Sequence, residues 1–158
     1  MDNQPGGSSF DITGILRAQC NRYPMLFIDR VTECVPGKRA VSEKNFTFNE
    51  WFFPPHFEDD PNVPGFVLVE SLVQAFLMTF LSMPEHFGSR TNFLEIRQTT
   101  FRRKIVPGDK LVIESTLKSL KRGIAVGESV GRVNSALAVS ADFAIGLPKM
   151  LARFKPKS

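Results

Sequence analysis

The chain is poor in the residues that build metal centres and disulfide frameworks. Its 158 residues include two cysteines and two histidines. Cys20 and Cys34 can form at most one bridge and stand at no metal-type spacing, and His56 and His86 lie far apart in sequence. Closely spaced ligand pairs, which a structural zinc site needs, are absent, so no metal is expected. Two thiols without a framework fit a reducing cytoplasm. The chain also lacks a Gly-rich phosphate loop and a serine nucleophile elbow. It has no long basic run interleaved with aromatics, so nucleic acid is not an expected partner. The net charge is only +4, from 20 basic and 16 acidic residues, a mild excess that favours acidic partners. Residues 1–9 lack the basic and apolar regions of a signal peptide and read as a disordered lead. Residues 10–148 read as one domain, and 149–158 as a basic tail that frays.

Polar aromatics are scarce too, with one Trp and one Tyr against 15 Phe. That imbalance fits either a dry, Phe-rich core or a tunnel for an apolar ligand. Asp11 is placed to cap a short helix over 12–19. Residues 25–35 and 38–48 flank Pro36-Gly37 and read as a hairpin. Between Trp51 and Gly65 stand Pro54, Pro55, Pro61 and Pro64. No helix or central strand can run through that spacing, which leaves a rigid, aromatic loop. Phe66 to Met83 is then almost wholly apolar and reads as about five turns of helix buried on all sides. The run is at the short limit for a bilayer and contains Glu70 and Gln74, so a membrane span is not expected. Beyond residue 92 the period changes to two, with strands expected over 93–106, 110–120, 124–133 and 136–145. Successive strands without intervening helices give an α+β fold: one long buried central helix wrapped by an antiparallel sheet of about six strands.

Glu70 is the anomaly. It sits one turn into a helix that should be buried, where an isolated ionised carboxylate is costly. Such a group either finds a partner or keeps its proton, and a protonated carboxyl near neutral pH is what a general acid needs. Gln74, at i+4, lies on the same face and can orient it. His56 lies in the rigid loop among Phe53, Pro54, Pro55 and Phe57, where aromatic neighbours can exclude water and favour a neutral imidazole. The loop position alone leaves His56 either incidental or catalytic, and sequence distance does not show that it meets Glu70. His86, in a polar loop, is expected to be exposed.

Several blocks in order resemble the 3-hydroxyacyl-acyl-carrier-protein dehydratases of the FabZ type. They are Arg22-Tyr23-Pro24 with Asp29-Arg30-Val31; Asn49-Glu50, Phe52-Phe53 and His56-Phe57; Pro61, Pro64-Gly65, Glu70 and Gln74; and Phe101-Arg102-Arg103 with Val106-Pro107-Gly108-Asp109. The resemblance covers about Ile15 to Ile145. It implies the hot-dog fold and no cofactor. It implies that His56 removes a proton from C2 of the substrate and that Glu70 protonates the leaving 3-hydroxyl. The backbone N–H of Gly65 would bind the thioester oxygen, with Gln74 and Phe57 beside the substrate. The family builds its site between two subunits, so a homodimer or a trimer of dimers is implied. Its partner is an acidic acyl carrier protein, for which Arg102, Arg103, Lys104, Lys121 and Arg122 are candidate docking residues.

Three positions depart from the family pattern: Asn21 in place of His, Pro55 in place of Gly and Glu58 in place of Pro. They bear on loop geometry and substrate, and point to a relative in polyketide or polyene assembly. Two other functions are compatible with the same fold: a hot-dog thioesterase, and a catalytically inactive carrier-binding or heterodimer partner.

Overall fold

After a short helix at Ile12–Ala18 (α1), the long apolar run folds as a helix, Gly65–Leu81 (α2), and every residue from Ser71 to Leu81 is buried. The computed structural model describes residues 7–154. The buried hydroxyls of α2 are satisfied within the helix. Ser71 donates to the Val67 carbonyl at 2.9 Å and Thr79 to the Phe76 carbonyl at 2.7 Å. Buried hydroxyls with such partners avoid the cost of an orphaned donor.

Around α2 wraps one antiparallel sheet. Its strands are β1 (Ser8–Phe10), β2 (Arg30–Val35), β3 (Arg39–Asn45), β4 (Asn92–Phe101), β5 (Lys110–Lys121), β6 (Ile124–Val133) and β7 (Ala136–Gly146). Their order is β1-β2-β3-β5-β6-β7-β4. The inward residues of β6 alternate with half-exposed ones along its whole length, as period two requires. Gly127 in β6 is needed where helix meets sheet, because a Cβ there would stand 2.3 Å from the Phe76 ring and 2.1 Å from the Thr116 carbonyl oxygen. Ser129 donates to the α2 carbonyl of Leu72 at 3.0 Å and ties the two layers together. This is the α+β hot-dog fold.

Four details differ from the sequence reading. The sheet has seven strands, because Ser8 and Ser9, placed in the disordered lead, join Phe10 in a three-residue edge strand that pairs with β2. Residues 1–6 of that lead lie outside the described residues. The hairpin begins at Arg30 rather than at 25, because residues 25–27 pair with a helix side chain instead of a strand. Gln74 Nε2 donates to the Met25 carbonyl, and the Phe27 N–H donates to Gln74 Oε1, each at 2.7 Å. The tail does not fray at residue 149: Pro148–Leu151 (α3) and a 3₁₀ turn at Ala152–Phe154 continue the fold, and 155–158 lie outside the described residues. His86 is buried at 8 % exposure, in a 3₁₀ turn, Pro84–His86, that follows α2.

The sheet register defines two ends of the molecule. At one end Lys121 pairs with Ile124, Ile124 with Gly146, and Gly146 with Asn92. At the other, Ile113 pairs with Gly131, Gly131 with Val139, and Val139 with Phe101. The N-terminus of α2 lies at the Phe101 end, since a Cβ on Gly65 would stand 3.3 Å from the Phe101 ring.

A buried ammonium anchors the loop that carries His56. Lys44 points inward from β3, with its side chain 7 % exposed. Its Nζ lies 2.5 Å from Glu50 Oε1 and 3.4 Å from Asp29 Oδ1. Glu50→Ala removes the nearer carboxylate and leaves the charge in poor solvation. We expect a loss of about 3 kcal/mol in denaturant unfolding. Lys44→Met in the same background should recover most of it; a loss below about 1 kcal/mol for Glu50→Ala would show that water reaches the ammonium.

Candidate active site

The loop from Trp51 to Gly65 is built from tight turns rather than regular structure. The Phe53 N–H donates to the Glu50 carbonyl and the His56 N–H to the Phe53 carbonyl. Pro55 therefore occupies an exposed turn position where no donor is required. Phe52 and Phe53 are fully buried and pin the loop to the core. His56 is half-buried, its ring stacked on Phe57 at 4.3 Å between centroids.

The ring has a defined tautomer. Nδ1 lies 3.0 Å from the Asn62 backbone oxygen. A carbonyl only accepts, so Nδ1 carries the hydrogen, and in the neutral ring the free lone pair is on Nε2. His56 lines a cleft of about 360 Å³ with Gly65, Leu68, Phe101 and Arg102. The start of α2 opens into it. Pro64 stands at the N-cap and provides no side-chain cap, so the first N–H groups of the helix remain available. Phe57, half exposed, covers His56 from outside.

Glu70 belongs to a second cluster. Its Oε1 accepts from Gln74 Nε2 at 2.8 Å and from Asn21 Nδ2 at 3.2 Å. Both donors meet the same oxygen, which leaves Oε2 free. Gln74 is fully buried, and both of its N–H groups are spent, one on Met25 and one on Glu70. It therefore acts by orienting Glu70. Burial pushes the Glu70 carboxyl above its ordinary value, and the hydrogen bonds from Gln74 and Asn21 pull the other way without cancelling it. Asn21 is the residue that sequence reasoning noted only as a departure. Arg22 fixes its position by donating to the carbonyls of Leu16, Gln19 and Asn21, all at 2.8 Å.

The raised carboxyl has a stability signature. Folding makes Glu70 hold its proton more tightly than in the unfolded chain. Its stabilising contribution is complete below the unfolded value and is lost as pH rises through the folded one. Glu70→Gln stays neutral throughout, so its Tm should exceed that of the unmodified chain at alkaline pH and converge on it in acid. A difference that grew toward acid pH would contradict the assignment.

Within one chain the two clusters remain separate, because Glu70 is not among the residues lining the His56 cleft. The basic residues divide as well. Arg102, Arg103 and Lys104 border that cleft, with Lys104 paired to Asp60 and Arg103 3.9 Å from Asp109. Lys121 and Arg122 lie at the opposite end of the sheet, the end at which Asn92 also lies, three strands away. A single docking rim is not formed by one chain alone. Among the described residues no cluster of His, Cys, Asp and Glu is suited to hold a metal, and no helix is long and apolar enough to cross a membrane.

Residues 20–142 match the model of the FabA-like domain. The chain belongs to the FabA-like family. A 3-hydroxyacyl-[acyl-carrier-protein] dehydratase FabZ from Ligilactobacillus salivarius is 40 % identical over 138 residues, spanning 86 % of this chain and 99 % of the relative. The FabZ of Enterococcus faecalis is 39 % identical over 137 residues, spanning 85 % and 97 %. Among solved structures, the dehydratase heterocomplex ApeI:P from Xenorhabdus doucetiae superposes with a TM-score of 0.74 at 15 % identity, covering 90 % of this chain and 97 % of that one. The TT0310 protein of Thermus thermophilus gives a TM-score of 0.58 at 15 % identity, over 80 % and 98 %. At such identities the structural likeness establishes the fold, while the family rests on the sequence matches.

Proposed function

We propose that this chain dehydrates a 3-hydroxyacyl group carried on an acyl carrier protein, giving the trans-2-enoyl thioester, with His56 as base and Glu70 as acid. The observation that carries the reading is the complementary state of the two groups. His56 has its Nδ1 committed and Nε2 free, and Glu70 is held by one oxygen in a site that favours its protonated form.

His56 Nε2 takes a proton from C2, which the thioester acidifies. The C–H electron pair forms the C2=C3 bond as the C3–O bond breaks, and Glu70 Oε2 gives its proton to the departing hydroxyl, which leaves as water. Negative charge that develops on the thioester oxygen is met by the Gly65 N–H at the start of α2. His56 ends protonated and Glu70 ionised, and proton return resets the pair.

The two halves are completed by a second copy of the chain. The outer edge of β4 has no strand partner among the described residues, and Phe93, Leu94 and Ile96 on it are 46 %, 50 % and 44 % exposed. A long apolar edge of this kind calls for a partner. Antiparallel pairing of β4 with its copy sets the Phe101 end of one chain beside the Asn92 end of the other. That places the His56 cleft next to the cleft that contains Asn21, which touches Glu70. It also brings Arg102–Lys104 of one chain to the same end as Lys121 and Arg122 of the other, forming a joint rim for an acidic carrier. One exposed and one buried free cysteine, Cys20 and Cys34, suit a reducing cytoplasm.

The test is mass analysis of products from 3-hydroxyacyl carrier proteins of graded chain length. Loss of water from the acyl group is the expected result. Release of free 3-hydroxy acid would make the chain a thioesterase, and no change would make it an inactive partner.

A further inference from the structure

Glu70 is held from two directions, and the two holds differ in kind. Gln74 stands one turn further along α2, so its grip moves with the helix that carries Glu70. Asn21 reaches Glu70 from outside α2. It follows Gln19, the C-cap of α1, and its Nδ2 donates to Glu70 Oε1 at 3.2 Å. The base of this reach is braced. Arg22 Nη1 donates to the Asn21 and Gln19 carbonyls and Nη2 to the Leu16 carbonyl, each at 2.8 Å. The same segment also holds Gln74, whose amide is bonded to Met25 and Phe27. Residues 21–27 therefore fix the side chain of the acid directly, through Asn21, and indirectly, through Gln74.

Where the donors meet decides where the proton sits. A protonated carboxyl has one carbonyl oxygen, which accepts, and one hydroxyl oxygen, which carries the hydrogen. Two amide N–H groups on Oε1 make it the accepting oxygen, so the hydrogen belongs on Oε2. The same N–H groups act again when the proton leaves. A hydrogen bond to an ionised acceptor is about twice as strong as one to a neutral acceptor. Asn21 therefore holds the carboxylate that forms more tightly than the acid it replaces, which lowers the barrier to proton delivery. Among the described residues the Glu70 carboxyl responds to burial and to the two amides, with no contribution from a charged side chain. Of the titratable groups on the flanking segments, Arg22 is turned to backbone carbonyls and Cys20 Sγ to the Gly88 carbonyl at 3.5 Å, while Arg90 lines the cleft that Asn21 borders. In the proposed dimer His56 of the second copy joins them. A side-chain amide does not itself titrate, so Asn21 donates at every pH at which the acid works.

We propose that Asn21 is a positioning residue for proton delivery: it fixes Glu70 Oε1 as the accepting oxygen, keeps the transferable proton on Oε2, and stabilises the carboxylate that remains. This rests on the dehydratase reading above, in which Glu70 is the acid.

Asn21→Leu removes the donor and keeps most of the volume. Its kcat for dehydration should fall about ten-fold, the effect expected of one hydrogen bond to a group that becomes charged, while KM changes by less than about two-fold. The alkaline limb of its kcat–pH profile should move to higher pH, because the lost hydrogen bond favoured the ionised carboxyl. Asn21→Asp keeps the shape of the side chain but sets a second carboxyl against Glu70. That pair should release its last proton at higher pH still. Carbon NMR of protein labelled at its glutamate carboxyls, with Glu70→Gln to assign the signal, reads the same shift without turnover. The Glu70 carboxyl should titrate at higher pH in Asn21→Leu than in the unmodified chain. An unmoved titration and an unmoved alkaline limb in folded Asn21→Leu would overturn the proposal even if the rate fell, since a purely structural tie would lower the rate without moving either. The dehydratase reading would still stand on the activity of the unmodified chain. A loss of kcat/KM carried wholly by KM would also overturn it, by placing Asn21 in substrate binding.

Discussion

His56→Ala and Glu70→Gln should each lower kcat for dehydration by about 10³-fold, within the range typical of a positioned acid or base. The two losses should not multiply. Proton removal at C2 and proton delivery at the leaving oxygen serve one elimination, and groups that act as a unit are strongly non-additive. The double variant should therefore fall little below the weaker single one. Glu70→Gln is the cleaner probe of acidity. Its side chain keeps the size of Glu, and its carbonyl can still accept from Asn21 and Gln74, as Glu70 Oε1 does at 3.2 and 2.8 Å. A loss of rate with the alkaline gain in Tm described above would separate missing proton donation from misfolding. A variant that retained more than about a tenth of the rate would remove Glu70 from the mechanism.

The parts of this molecule legible in its sequence are those where a single physical demand dominates. The run after Gly65 admits only a buried helix, and Glu70 stands out in it because a carboxyl there needs an explanation. Four prolines in fifteen residues make the His56 loop a loop whatever packs around it. Other features depend on distant neighbours. Lys44 reads as an ordinary charged strand residue, although Ala40, Ser42, Lys44 and Phe46 share the inward face by period two, and that alternation was the available signal. Its partners Asp29 and Glu50 were visible only as pieces of a family pattern. His86 was misread because polar neighbours imply solvent; the turn after α2 instead folds it between two clefts. Ser8–Phe10 carries too few apolar residues to announce a strand and owes its structure to the free edge of β2.

The separation of His56 from Glu70 within one chain is the feature with the largest functional consequence. Among the described residues no hydrogen bond or shared cleft connects them in a single copy, whereas the proposed mechanism gives each a part in one reaction. The exposed apolar residues of β4 and the division of basic residues between opposite ends of the sheet would both be resolved by the antiparallel pairing of two copies proposed above. In such a two-fold dimer each site takes His56 from one chain and Glu70 from the other, so the defects of two inactive variants fall on one site and leave the second intact.

Co-expression of His56→Ala and Glu70→Gln chains tests this directly. Random assembly makes half of the dimers mixed, each with one unaltered site of its two, so activity should return to about a quarter of that of the unmodified protein, although each variant alone is nearly inert. A mixture no more active than its components would place both groups of each site in the same chain and contradict the account.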